Sequence, residues 1–198
     1  MQKSEITFTS PLVSSVTKLY PGPIAGMLYP QDETLGIFAF LSEEGPGSWT
    51  GSSDGLSVFI DRAEFKYKPE YAAWAGWDGS DYTPYFWPSH GSLIFAGYSP
   101  YRYVDGTPVP NVSFDIENKQ LSIEGFQTET YVPMSKSDIE NPDIDYNNST
   151  QSDLSYFLPD FDINGNYSGV NHLDRYSPLM HHALSLVVFK VYAANASD

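Results

Sequence analysis

Tyr85-Phe-Trp-Pro-Ser-His-Gly-Ser-Leu-Ile-Phe-Ala-Gly-Tyr-Ser-Pro-Tyr101 places six aromatic residues and two prolines in one short run. Either these rings form an exposed surface that grips a ligand such as a sugar, or they are the buried spine of a β-protein. Trp87-Pro88 ends a loop, Gly91 supplies a turn, and Leu93 to Ala96 is apolar on both faces. A strand of that kind is central and covered on both sides. Ser99-Pro100 closes it. Large apolar side chains are more often buried than displayed, so the run reads first as spine.

The flanking sequence agrees with a β-protein. Fifteen glycines and fifteen prolines punctuate the chain, and no stretch sustains a helical period. Leu35-Gly-Ile-Phe-Ala-Phe-Leu41 and Ala183-Leu-Ser-Leu-Val-Val-Phe-Lys-Val191 are also apolar on both faces. In Ala63-Glu-Phe-Lys-Tyr-Lys68 the apolar residues Ala63, Phe65 and Tyr67 alternate with Glu64, Lys66 and Lys68, the pattern of a half-buried strand. Val112 to Glu117 alternates as cleanly, Asn118-Lys119 supplies a turn, and Gln120 to Glu124 returns, which predicts a hairpin. Ile6-Thr-Phe-Thr9 is a short N-terminal strand candidate. Seven or more strands with turn-rich connections predict an all-β fold, an antiparallel β-sandwich, in a single domain spanning 1–198. Residues 135–178 read as a long loop region that opens with an acidic excursion, in which Asp138, Glu140, Asp143, Asp145 and Asp153 face a single Lys136.

Charge and cysteine content narrow the function. Ten Lys and Arg against 25 Asp and Glu give a net charge of −15. Nucleic-acid binding draws its affinity from basic side chains that neutralise phosphates, so no nucleic-acid partner is expected. Anionic membrane surfaces are disfavoured for the same reason. Cysteine is absent, which removes disulfides, thiol catalysis and cysteine-ligated metals. Neither a signal-peptide core nor a run of transmembrane length is present, so the chain reads as cytosolic or as a mature fragment of an exported protein.

Few motifs carry chemistry. Asp160, Asp162 and Asn164 in Asp160-Phe-Asp-Ile-Asn-Gly-Asn166 match the opening of a calcium loop, but the position of its closing bidentate carboxylate is Asn171. His181 and His182 are adjacent, and neighbours on a strand face opposite sides, so they do not chelate one metal together. No nucleophile elbow, phosphate loop or dinucleotide fingerprint occurs, and neither an enzymatic activity nor a cofactor is expected. The abundant carboxylates read as solvated surface rather than as the paired acids of a glycosidase. The cluster Tyr71-Ala-Ala-Trp-Ala-Gly-Trp77 with Tyr82 supplies three candidates for stacking on a glycan, Trp74, Trp77 and Tyr82. Burial in a sandwich core is the competing reading of the same rings.

Three stretches, in order, resemble a known family. Tyr85 to Pro100 resembles the signature YWP followed by G-x-L-x-F-x-A-Y-S-P of Bacteroidetes fimbrillin-family proteins. Gln151-Ser-Asp-Leu-Ser-Tyr156 resembles the family's Q-x-D-L-M-x-A stretch, departing from it after Leu154. Pro178 to Val191 resembles its L-x-F-x-H-A-L-S-x-V-x-F-K-V strand. The resemblance implies the N-terminal domain of a type V fimbrial subunit or fimbrillin-like lipoprotein, with a transthyretin-like sandwich. It implies export and outer-membrane anchoring at the cell surface through a lipid on a lipobox cysteine, which this chain lacks, so a processed or engineered start is expected. The family's second, C-terminal domain is expected to be absent from this chain. It further implies that a trypsin-like protease clips after a basic residue, removing a first strand here spanning 1–18, with Lys18 as the candidate site. A strand donated by the next subunit then fills the groove, so the expected partners are other fimbrial subunits. A surface adhesin or carbohydrate-binding module, with a host or bacterial surface glycan or protein as partner, is the alternative.

Overall fold

A computed structural model describes residues 4–9, 33–43, 55–103, 105–127, 154–159, 169–170 and 175–183. Among them are eight strands and no α-helix. The strands are β1 (Leu35–Ser42), β2 (Leu56–Lys68), β3 (Ala73–Trp77), β4 (Ser92–Ser99), β5 (Val112–Asp115), β6 (Gln120–Ile123), β7 (Ser155–Phe157) and β8 (His181–His182). Six form one sheet in the order β3-β2-β1-β4-β7-β8, and β5 pairs with β6. Every neighbouring pair is antiparallel.

Two of the three doubly apolar runs, at Leu35 and Leu93, take the central places. β4 is buried along its whole length and β1 along nearly all of it. One face of the sheet carries Ile37, Ala39, Phe65, Leu93 and Phe95, packed with Ile6, Phe8, Trp74, Trp87 and Phe157. The other face carries Phe38, Phe40, Ile94, Ala96 and Tyr98, packed with Val109, Val112 and Ile116. The β5–β6 hairpin lies over that second face, its Phe114 ring 6.2 Å from Phe38 and 5.8 Å from Phe40. β1 and β4 therefore serve two cores at once, which is why neither shows a polar face in its sequence.

Glycine permits the closest crossings. Gly36 lies opposite Tyr98 and Gly97 opposite Ile37. A Cβ on Gly36 would intrude on the Tyr98 ring, and one on Gly97 on the Phe157 ring. The two rings cross the strands where no side chain stands in the way.

Two expectations are corrected. Residues 135–178 are not all loop, because β7 lies within them and pairs with β4 through Gly97–Phe157, Tyr98–Tyr156 and Ser99–Ser155. Three residues beside an acidic stretch are too few to show an alternating period. Glu64, expected on a polar face of its strand, is buried. Arg102 supplies the reason, reaching the Glu64 carboxylate with its Nε and Nη2, the latter at 2.7 Å. β2 also carries a bulge, for Ile37 faces Ala63 and Ala39 faces Ile60, leaving Asp61 and Arg62 opposite Phe38 alone. Arg62 adopts the left-handed conformation there, with φ of 51°. Its guanidinium thereby donates to the Tyr98 hydroxyl at 2.9 Å and to the Val109 carbonyl.

Candidate functional site

The N-terminal segment is the first feature of interest, because its bonds go to distant parts of the chain. Ile6 N donates to the Tyr85 carbonyl at 2.7 Å and Trp87 N to the Ser4 carbonyl at 3.0 Å. Phe8 and Trp74 exchange two bonds, Phe8 N to Trp74 O at 2.9 Å and Trp74 N to Phe8 O at 2.8 Å. On the other side Thr9 N donates to Tyr176 O and Tyr176 N to Thr7 O, both at 2.9 Å. The segment thus runs antiparallel to β3 and parallel to the chain at Tyr176. Ile6 and Phe8, two residues apart and so on one face, are both fully buried. The Phe8 ring meets Phe65 at 5.0 Å, Phe95 at 5.3 Å, Tyr176 at 5.8 Å and Phe157 at 6.4 Å. Burying each such side chain contributes about 1.5–3 kcal/mol.

The second feature is an aromatic and cationic surface where β2 and β3 pair. Lys66 lies opposite Ala75 and Lys68 opposite Ala73, so both lysines share a face with Trp77, which lies opposite Glu64. The Lys66 ammonium is 4.4 Å from the centroid of the Trp77 ring. That of Lys68 is 4.1 Å from the Tyr71 ring and 4.9 Å from the Tyr82 ring. Trp77 and Tyr82 meet edge to face at 5.1 Å, and the Tyr82 hydroxyl donates to the Tyr67 carbonyl at 2.5 Å. Burial, reinforced by Glu70 and opposed by Lys68, holds the Tyr82 hydroxyl above the usual tyrosine range. Further along the same face, Arg62 and Arg102 lie over the Tyr101 ring at 5.5 and 5.4 Å. Burial pushes the Tyr98 hydroxyl there up to about 12 against the opposing pull of Arg62.

Trp77 and Tyr82 are held together by the turn between them. The Asp78 carboxylate accepts from Ser80 N, Ser80 Oγ and Asp81 N, each at 2.9 Å, and from Thr83 Oγ1 at 3.1 Å. Bonds that favour the charged form, that from Asp81 N foremost, lower its pKa from 3.8 to about 2. A depressed carboxylate supports its turn fully above its unfolded pKa and loses that support as pH falls through the folded one. The Asp78 carboxyl carbon is expected to titrate near 2 by NMR, with the Trp77–Tyr82 contact loosening in the same step. The step should vanish in Asp78→Asn, and a midpoint near 3.8 would refute the account.

The sequence-predicted residues divide. Trp74 is 3% exposed, gives its Nε1 hydrogen to the Glu33 carbonyl at 2.8 Å and packs on Tyr67. It is a core residue and is withdrawn from the stacking set, whereas Trp77 and Tyr82 stay half-exposed and in contact. Lys18 and the calcium-loop residues Asp160, Asp162 and Asn164 lie outside the described residues, as does 184–191. Among the described residues no group of three or more His, Asp or Glu gathers as a metal site would require. Sequence reasoning missed Lys66 and Lys68, although their spacing of two already placed them on one face.

A cleft of about 560 Å³ opens between β6 and β7, with Leu121, Ile123, Leu154, Tyr156 and Leu158 among its walls. Asn118, Lys119 and Gln120 form its polar rim.

Fold and surface together define an all-β protein of antiparallel sheets. No family model matches the chain, and neither a curated protein nor a solved structure matches it.

Proposed function

We propose that this chain is a non-enzymatic structural subunit of a cell-surface fimbria, exported, anchored at the outer membrane, and assembled by exchange of a β-strand. One observation carries the reading: the N-terminal segment is bonded on both sides and buries Ile6 and Phe8 in a core built by the rest of the chain. Taking that segment away would leave Trp74, Tyr85 and Tyr176 with unpaired backbone groups around a slot walled by Phe65, Phe95 and Phe157. An extended strand from another subunit, with apolar residues two apart, restores both the bonds and the contacts. The hairpin lying over the second face of the sheet supports a transthyretin-like sandwich as the architecture.

The experiment is limited digestion of the native chain with a lysine-specific protease, followed by addition of a dye-labelled peptide of residues 1–18. Cleavage after Lys18, and uptake of the peptide by the cleaved chain but not by the intact one, are the expected results. Resistance at Lys18, or a cleaved chain that takes up no peptide, would overturn the proposal.

A second reading, that the subunit also binds a surface glycan, is favoured by Trp77 and Tyr82. Their rings meet, half-exposed, at the β3 edge of the sheet and present apolar area on which the C–H face of a sugar can lie.

A further inference from the structure

The cations of this acidic chain are not spread evenly. Of its ten Lys and Arg, four (Arg62, Lys66, Lys68 and Arg102) lie along one face of β2 and the loop after β4, among Tyr71, Trp77, Tyr82, Tyr98 and Tyr101. Two of them are engaged. Arg102 neutralises Glu64, and Arg62 donates to Tyr98 and Val109. Lys66 and Lys68 instead rest their ammoniums on ring faces. The nearby carboxylates are largely committed as well, Glu64 to Arg102 and Asp78 to its own turn. Asp81 accepts from Tyr82 N at 2.7 Å, and Glu70 is close enough to act on the Tyr82 hydroxyl.

We infer that this face binds a sugar bearing a carboxylate, with Trp77 and Tyr82 stacking on the ring and Lys66 and Lys68 pairing with the charge. The inference rests on the glycan reading above and names the class of sugar. Its logic is one of exchange. A neutral sugar that covers the Trp77 face held by Lys66 displaces the ammonium and offers it only uncharged hydroxyl acceptors in return. An acidic sugar lets the same ammonium swing on its flexible stem from the ring to the carboxylate, replacing a cation–π contact with a charge-assisted hydrogen bond. Selection then comes from the interaction that the neutral competitor forfeits. The net charge of −15 argues for a single charged residue on a short or terminal saccharide, because a long polyanion would meet repulsion from the rest of the chain.

The test titrates the full chain with lactose, 3′-sialyllactose and the monoacidic disaccharide glucuronosyl-galactose, read by tryptophan fluorescence and saturation-transfer NMR. At least one acidic sugar should bind about tenfold more tightly than lactose, a difference of about 1.4 kcal/mol. Which of the two does so tells a sialic acid from a uronic acid. The double variant Lys66→Gln/Lys68→Gln, at exposed or half-exposed positions, should abolish the difference between the acidic sugar and lactose, since the carboxylate loses its partner and the neutral sugar no longer has an ammonium to displace. Equal binding of lactose and both acidic sugars would overturn the carboxylate preference and leave the glycan reading standing. Binding of none of the three would overturn both.

Discussion

Phe8→Ala should be among the most damaging single changes in this protein, lowering the unfolding free energy by about 3–5 kcal/mol. The ring touches four other aromatic rings drawn from β2, β4, β7 and the chain at Tyr176. Alanine would leave a void that those neighbours cannot fill without breaking their own stacked and edge-to-face contacts. Against a usual total of about 5–15 kcal/mol the loss is large, and denaturant unfolding with an unchanged slope reads it directly. Phe86→Ala is the companion variant, since Phe86 is in the same strand–loop neighbourhood but 39% exposed. It should stay within about 1 kcal/mol of the parent. A Phe8→Ala protein no weaker than Phe86→Ala would mean that the N-terminal segment is not seated as described.

Arg102→Met should come next, at about 3 kcal/mol. Glu64 has a side chain only 4% exposed, and Arg102 meets both of its carboxylate oxygens. Methionine keeps much of the arginine's apolar stem and removes the charge, so the cost is that of a buried carboxylate left without its partner. The double variant Glu64→Leu/Arg102→Met should recover most of the loss, because a buried ion pair replaced as a unit by apolar groups is often close to neutral. If the single and double variants unfold at the same denaturant concentration, the cost is one of packing rather than of stranded charge.

These two residues also show what the sequence discloses. Strands with strong patterns were legible: the doubly apolar runs at Leu35 and Leu93 became the two central strands, and the alternation from Val112 to Glu124 became the hairpin. β7 was hidden because three residues carry no period. Glu64 was misjudged because alternation marks it as solvent-facing, and only the fold brings Arg102 across to it. The site divided in the same way. Trp74 and Trp77 are equivalent as letters three positions apart. The pleat turns Trp74 into the core with Phe8, while Trp77 shares the opposite face with the lysines. Lys66 and Lys68 looked like routine polar positions on a strand until pairing with β3 set aromatic rings beneath them.

The seat of the N-terminal segment has a consequence in time. Thr7 and Thr9 bond to Tyr176, near the far end of the described chain, and Ile6 and Phe8 lie in a core that needs Phe157. During synthesis residues 4–9 are therefore made long before the Tyr176 backbone that completes their seat. Until Tyr176 has emerged, Ile6 and Phe8 have no finished slot to enter, so the segment closes its core only through a contact of long sequence separation.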